Sequence, residues 1–256
     1  MSPWEKGILW LTIGLTAAVL VKLWSNGLVR IYKLFFCYLV VDLFSSIAAL
    51  LIPYNTKTYG EVYFSTQTFK ILIGAFMLAE MYGLALEGRA ALAQFVRNSV
   101  GYILAAAALI PVIAVFLDRS PAASPVMRTY SLFEQTMDAT MAIFLILILI
   151  FMAWFPVQMR RNVIVYIGGF IVWSLSRSAA LHLVRQWSGN KYLSMVVNSI
   201  EMYIILGCLL AWLLGLRREG ETRTAIVGHL WNRGEVEHLT GQLDAINNSL
   251  ERLRRR

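Results

Sequence analysis

The chain has 256 residues, of which 58% are hydrophobic and only 15% are charged, and its mean hydropathy is +0.62. A soluble globular domain is closer to half apolar and a quarter charged, so this composition argues against a soluble enzyme and predicts an all-α integral membrane protein. The net charge of +8 does not indicate a nucleic-acid partner, because the basic residues are scattered over predicted loops and one tail, where they report membrane topology.

Seven stretches of the chain are long and apolar enough to cross a bilayer, which takes about 20 residues in a helix. The first stretch begins with only a weakly basic segment and lacks a small-residue cleavage site, so we interpret it as a span rather than as a signal peptide. The sequence thus predicts a seven-transmembrane helix bundle over residues 1–216. The seven predicted spans are 4–24, 34–53, 67–86, 100–117, 131–155, 163–185 and 193–215.

The predicted spans suggest an internal repeat. A shift of 131 residues lays spans one to three over spans five to seven without gaps, and it places SSIAAL (45–50) on SRSAAL (176–181) and Arg30 on Arg161. Parallel repeats of this kind occur in small transporters. Elsewhere the identity is near chance for apolar sequence, so a 3+1+3 repeat and a chance register stay open as alternatives.

The distribution of lysine and arginine around the spans predicts the orientation. With the N-terminus outside, ten such residues flank the cytoplasmic ends and six flank the outer ends. Basic residues are enriched on the cytoplasmic side of membrane proteins, so we predict an N-outside, C-inside topology in a bacterial-type cytoplasmic membrane.

Polar side chains inside the predicted spans are the candidate site. A charged side chain at the bilayer centre costs at least about 2.5–3.5 kcal/mol, so such residues require a partner or a function. Helical rise places five of these charged residues, together with the uncharged Asn198, in the outer half of the membrane. Three acids facing two bases leave one negative charge, which water, a proton or a cationic ligand could balance. A closed ion-pair network and an open ligand pocket both fit this set, which comprises Glu134, Asp138, Arg177, Glu201, Lys70 and Asn198.

Two further acids, Asp42 and Glu80, are predicted at one depth in the inner half. Two carboxylates at one depth could share a proton, because like charges in a low dielectric raise one pKa. A static pair of neutral, hydrogen-bonded acids fits the same positions.

After the last span the sequence becomes polar, and we divide it into an interfacial linker (217–234) and a short cytoplasmic helix (235–256). In the linker, TAIVGHLWNRG groups its apolar residues on one side, which predicts a short helix in the membrane interface. In the cytoplasmic helix, apolar residues recur every three and four positions, which is typical of a coiled coil. The seam comprises Val236, Leu239, Leu243, Ile246, Leu250 and Leu253.

This seam predicts a homo-oligomer assembled through the C-terminal helix. The alternative is an amphipathic helix docked on the bundle or on the bilayer, where the basic C-terminus would meet anionic lipid. The basic residues are Arg252, Arg254, Arg255 and Arg256.

The sequence carries no recognisable catalytic or metal-binding motif. The last span has no lysine for a Schiff base and no proline, and the three histidines and two cysteines lack the spacing of a zinc site. We therefore predict no enzyme activity, no metal and no cofactor. Two hypotheses remain: a non-enzymatic membrane sensor or scaffold with a polar outer pocket, and a small-solute or ion transporter or channel that uses the intramembrane carboxylates.

Overall fold

The computed structural model of the chain contains six long helices in the part that it describes. The described residues are 3–53, 56–86, 102, 125–154, 158–187, 190–222, 224–226, 238, 241–242, 244–249 and 252. The helices are α1 (Pro3–Ser25), α2 (Lys33–Leu51), α3 (Lys57–Ala85), α4 (Pro125–Trp154), α5 (Arg161–Gln186) and α6 (Lys191–Gly215).

Five of these helices, α1, α2, α3, α5 and α6, are long and apolar enough to cross a membrane. Large apolar side chains such as Trp10, Phe44 and Phe76 are exposed on the outside of the helices, as a surface that faces lipid requires. The predicted helical membrane architecture is therefore confirmed in its coarse form. The predicted window 100–117 lies outside the described residues apart from Tyr102, and the count of seven spans stays a prediction.

α3 begins at Lys57, well before the apolar window that starts at residue 67. The side chain of Thr56 caps the helix by accepting a hydrogen bond from the Tyr59 backbone N–H at 3.2 Å, and Lys57 pairs with Glu61 one turn later at 3.6 Å. A cap and a salt bridge of this spacing favour helix without any apolar residue. The helix therefore extends beyond its apolar part.

The connections between the helices define two ends of the bundle. We call the end where α2 meets α3 and α5 meets α6 the upper end, and the end where α1 meets α2 and α4 meets α5 the lower end. The upper end is the predicted outer side. At the lower end Gly27 has φ 69°, a left-handed conformation that glycine adopts without steric cost.

Most of the buried apolar side chains lie in the lower half of the bundle. Among the helices, α5 packs against α4 and α6, α2 packs against α3, and α1 packs against α2 and α6. Apolar side chains from five helices meet with almost no exposed surface, as a close-packed protein interior requires. Among the most deeply buried are Tyr32, Phe35, Leu39, Met77, Leu78, Met81, Leu145, Tyr166, Ile167, Leu209 and Trp212.

The linker after α6 returns to the bundle as a strand. A short turn, Arg218–Glu221, leads to β2 (Thr224–Ile226), which pairs antiparallel with β1 (Gln158–Arg160). The interfacial helix predicted from TAIVGHLWNRG therefore does not begin at Thr224, because Thr and Ile favour a strand where a partner strand is present. The rest of that segment lies outside the described residues.

The predicted coiled-coil helix is described only in part. Residues 244–249 are helical, and Ser249 donates a hydrogen bond to the Ala245 carbonyl at 2.8 Å. Ile246 of the seam is 47% exposed in the single chain. The other five seam residues lie outside the described part, so self-association stays a prediction.

Candidate functional site

Arg177 of α5 is the centre of a buried ion-pair cluster between three helices. Its Nε donates to Oε1 of Glu134 on α4 at 3.1 Å, and its Nη2 donates to the same oxygen. The same Nε lies 3.3 Å from Oδ2 of Asp138. Nη2 also donates to Oε1 of Gln67 on α3 at 3.0 Å. We call these four residues the Arg177 cluster, and it joins α3, α4 and α5.

The spacing of the two acids on α4 allows one guanidinium to hold both. Glu134 and Asp138 are four residues apart, so their side chains project from one face of the helix. Glu134 is 2% exposed and Asp138 is 7% exposed. Oδ2 of Asp138 is fully buried and has no hydrogen-bond partner among the described residues. Buried carboxylates require a counter-ion, which explains why Arg177 lies between them.

Asp42 of α2 pairs with Lys70 of α3. The Nζ atom of Lys70 donates to Oδ1 of Asp42 at 3.0 Å, and each residue is only 6% exposed. We predicted that Asp42 would lie with Glu80 in the inner half, but the structure gives these two acids different partners. Asp42 lies at the middle of α2, beside a lysine whose charge it balances, and it therefore belongs with the upper group of charges.

Glu80 instead caps the lower end of α2. Its Oε2 accepts a hydrogen bond from the backbone N–H of Leu34 at 3.1 Å. The first N–H groups of a helix have no partner within that helix, and a carboxylate is favoured at this positive end. Tyr32, the residue before the first residue of α2, provides no side-chain cap. Glu80 of the neighbouring helix α3 provides it instead. Oε1 of Glu80 is buried without a hydrogen-bond partner in the described part of the chain.

Two predicted site residues of α6 are not brought into the cluster. Asn198 is exposed and Glu201 is half-buried, and neither makes a hydrogen bond or an ion pair within the described residues. Glu201 lines a second, largely apolar cavity of about 130 Å³ between α5 and α6, together with Ser176 and Ala180.

The charges that are in direct contact do not cancel. Three acids, Asp42, Glu134 and Asp138, contact two bases, Lys70 and Arg177. These three acids are not the predicted three, because Asp42 makes an ion pair and Glu201 makes none with a described residue.

A polar cavity of about 190 Å³ opens beside these charges in the upper half of the bundle. Its wall extends from residues near the upper helix ends to both cations at the middle, and Glu134 and Asp138 lie behind Arg177 rather than in the wall. The lining residues are Leu9, Thr12, Asp42, Ser45, Ser46, Ala48, Ala49, Tyr59, Val62, Tyr63, Thr66, Gln67, Lys70, Trp173, Arg177, Met202 and Ile205. We call this space the upper cavity.

Below the upper cavity the bundle is closed by a continuous series of aromatic rings. Trp173, in the cavity wall, stacks on Trp212 with a centroid distance of 5.7 Å, and Trp212 contacts Phe35 at 4.8 Å. Phe35 contacts Tyr166 at 4.7 Å, and Tyr166 contacts Tyr32 at 5.3 Å. All five rings are at most 2% exposed. We call these five residues the aromatic column.

Glycine makes room for the column. A Cβ atom on Gly169 would lie 2.4 Å from Nε1 of Trp212, so a larger residue on α5 would displace the indole. Three polar atoms of the column, the Tyr166 hydroxyl and the Nε1 atoms of Trp173 and Trp212, are buried without hydrogen-bond partners among the described residues.

The lower end of the column contacts the segment after α6. The Tyr32 hydroxyl donates to Oε1 of Glu221 at 2.8 Å. Nδ2 of Asn162 donates to the same oxygen at 2.5 Å, and Nη1 of Arg160 donates to Oε2 at 3.0 Å. Burial and the Glu221 carboxylate raise the pKa of the Tyr32 phenol, so Tyr32 stays protonated and remains a donor.

Asn162 and Gly220 complete this attachment. Asn162, fully buried, donates to the Arg217 carbonyl at 2.7 Å and accepts from the Arg217 N–H at 3.1 Å. A Cβ atom on Gly220 would lie 2.1 Å from Oδ1 of Asn162, so only glycine fits. We call these contacts the latch; its residues are Tyr32, Arg160, Asn162, Arg217, Gly220 and Glu221.

Sequence patterns did not single out the aromatic column or the latch. Trp173 and Trp212 stand in apolar spans, where an aromatic residue is indistinguishable from ordinary core. Glu221 stands in a polar linker, where an acid is normally solvated. The only available signals were Gly220 in a charged segment and Asn162 at the start of a span.

Within the described residues, no group of three or more His, Cys, Asp or Glu side chains could hold a metal ion. Comparison of the chain with protein-family models, with curated proteins and with solved structures finds no match. The fold itself defines the class: a helical protein whose five long apolar helices indicate membrane association and whose upper half contains a charged cavity.

Proposed function

We propose that the chain is a non-enzymatic membrane sensor that binds a small solute in the upper cavity and signals through its C-terminal tail. One observation supports this most strongly: a polar cavity with two buried ion pairs stands directly above a closed column of aromatic rings. Ion pairs in the middle of a bundle cost desolvation energy and do little for stability, so a ligand is a reason to retain them.

The aromatic column favours a sensor over an open passage. Phe35, Tyr166 and Trp212 fill the space between the helices below the cavity, together with aliphatic neighbours such as Leu39 and Leu209. A solute that entered the cavity would have to displace these rings to continue. We therefore propose a cavity that opens on one side of the membrane, which the predicted topology makes the outer side.

The column also provides a physical route from the cavity to the tail. Each ring contacts the next, and the last, Tyr32, donates to Glu221 in the segment that leads to β2. A chain of packed rings can couple two sites when its members have two arrangements. We propose that occupancy of the cavity shifts the rings and thereby the latch.

We further propose that the cytoplasmic tail assembles the protein into homo-oligomers, with the basic C-terminus near anionic lipid. Deletion of residues 235–256 should lower the molecular mass measured by light scattering in detergent. An unchanged mass would remove this role from the tail.

Cysteine accessibility tests the one-sided cavity. In a Cys37→Ser, Cys208→Ser background, Ser46→Cys places a thiol in the cavity wall, and Ser25→Cys places a control thiol at the lower end of α1. Right-side-out spheroplasts and inside-out vesicles would be treated with a membrane-impermeant thiol reagent. We expect Ser46→Cys to react only in spheroplasts and Ser25→Cys only in vesicles. Equal reaction of Ser46→Cys from both sides would contradict the sensor.

Transport is the second candidate, and the unpartnered polar atoms of the column favour it. The Tyr166 hydroxyl and the two indole N–H groups are in a position to bind water, and hydrated rings would let a proton or small ion pass. Flux into proteoliposomes tests this directly. A transporter that uses the α4 carboxylates should lose flux in a Glu134→Gln, Asp138→Asn double variant, whereas unchanged flux would exclude that role.

A further inference from the structure

The upper cavity presents several hydrogen-bond donors that no described residue uses. Among the described residues, Lys70 donates only to Asp42, although an ammonium has three N–H groups. Arg177 donates through Nε and Nη2, and Nη1 makes no hydrogen bond to the part of the chain that the structure describes. The hydroxyl of Ser46 has no hydrogen-bond partner in the described part of the chain, although it lines the same wall. Two cationic groups with free donors select an anionic group of a ligand, such as a carboxylate.

The same wall also presents an acceptor. Oδ1 of Asp42 accepts from Lys70, and Oδ2 makes no hydrogen bond with a described residue. The aromatic ring of Trp173 is also part of the wall. A carboxylate oxygen and an indole face are both favourable surroundings for an ammonium group.

The charge balance restricts the total charge of the ligand. Counted as ionised groups, the contacting side chains hold one excess negative charge, and a simple anion would raise this formal excess to two in a low-dielectric site. A simple amine would reduce the excess, but it would leave the donors of Lys70 and Arg177 unused and would be repelled by both. A ligand that carries one charge of each sign satisfies both sets of groups and leaves the balance unchanged.

The cavity volume restricts the size. About 190 Å³ corresponds to about six water molecules at roughly 30 Å³ each, and thus to a solute of about six to eight non-hydrogen atoms. This is below the roughly 300–1,000 Å³ of sites for drug-sized ligands.

We propose that the upper cavity binds a small zwitterion of the amino-acid type. Its carboxylate lies between Lys70 and Arg177, with the Ser46 hydroxyl beside it, and its ammonium group lies against Asp42 and Trp173. This inference rests on the proposed sensor function and names the class of solute that such a sensor detects.

Ligand-induced stabilisation of the full-length protein in lipid nanodiscs tests the ligand class. Four zwitterions (L-alanine, β-alanine, 4-aminobutyrate and glycine betaine) would be compared with propionate, propylamine and glycerol at equal ionic strength. We expect at least one zwitterion to raise the unfolding temperature saturably, with apparent affinity more than about tenfold above that of the anion, the amine and the polyol. Equal or tighter binding of propionate or propylamine, or no saturable effect from any of the four zwitterions, would overturn the ligand class.

Variants locate the binding. Ser46→Leu fills the cavity and should weaken the best zwitterion more than about tenfold, whereas Thr68→Leu, on the exposed face of α3, should not change its affinity. Asp42→Asn should weaken the zwitterion relative to propionate, because it removes the partner of the ammonium group and also frees Lys70, which it pairs with at 3.0 Å, for an anion. Equal loss in Ser46→Leu and Thr68→Leu would contradict the site. The binding experiments test the ligand class, whereas the cysteine-accessibility experiment tests whether the cavity opens on one side of the membrane. Either proposal can therefore fail without the other.

Discussion

In the upper half of the bundle, five charged side chains form two ion-pair groups, Lys70 with Asp42 and Arg177 with Glu134 and Asp138, beside a cavity of about 190 Å³. In the lower half, the same helices meet through aromatic and aliphatic side chains with almost no exposed surface. Apolar packing specifies how the helices associate and costs nothing to desolvate, whereas buried charges are expensive and tolerate no missing partner. The difference supports the proposal that the lower half holds the bundle together and that the upper half binds the ligand.

Removal of the central cation should have the largest effect. Arg177→Met leaves Glu134 and Asp138 buried without their counter-ion, and we expect a loss of about 3–5 kcal/mol of stability. Thermal unfolding in detergent would measure it, with Arg161→Met at the exposed start of α5 as the control. Adding Glu134→Gln and Asp138→Asn to Arg177→Met should restore much of the loss. A single variant as stable as the control would show that the ion pairs are not buried in the membrane.

Gly220→Ala should break the latch without touching the cavity. The added methyl group collides with the Asn162 amide, and overpacking of this kind costs about 1–3 kcal/mol. Faster hydrogen exchange at Thr224–Ile226 would report the loosened segment. Gly14→Ala, which has open space around it, is the matched control and should be neutral or slightly stabilising. Unchanged exchange in Gly220→Ala would contradict the attachment of the linker to the bundle.

Tyr32→Phe separates the packing of the column from its hydrogen bond to the latch, because it keeps the last ring and removes only the hydroxyl. We expect a loss of about 1.5–3 kcal/mol from the missing hydrogen bond to the Glu221 carboxylate. Hydrogen exchange at Thr224–Ile226 should rise, but less than in Gly220→Ala, because Arg160 and Asn162 still hold the carboxylate. If the two variants loosened the strand equally, the phenol would be the main support of the latch.

The smallest effect is expected in the cavity wall. Ser46→Ala removes a hydroxyl that has no partner within the described residues. The free energy of unfolding, measured by thermal unfolding, should therefore change by no more than about 0.5 kcal/mol. Zwitterion affinity should nevertheless fall if the hydroxyl binds the ligand carboxylate. A marked loss of stability would mean that the hydroxyl supports the fold, which would weaken its assignment to a binding site.

The sequence predicted the features that depend on local chemistry. Apolar stretches of sufficient length become helices such as α2 and α5, because a bilayer forces backbone groups to bond internally. The four-residue spacing of Glu134 and Asp138 placed them on one face, and the need for a counter-ion pointed to Arg177. Depth counted along each helix could not decide partners, however, and it grouped Asp42 with Glu80.

Which side chains form ion pairs depends on how each helix is rotated about its axis and how far it is shifted along its neighbours. Lys70 lies one turn from Gln67 on α3, and α2 presents Asp42 to it, which draws that acid into the upper group. Glu80 lies further along α3, where it meets the first turn of α2 instead.

The sequence alone predicts a helical, membrane-type protein with acidic and basic side chains inside its spans. The packed structure is needed to show which acids contact Arg177, that Lys70 pairs with Asp42, and that five rings connect the cavity to Glu221. Local propensity and hydropathy act through neighbouring residues and through solvent, so they can be read along one chain. Ion pairs and ring contacts form between side chains far apart in sequence, and their geometry exists only after the helices have packed.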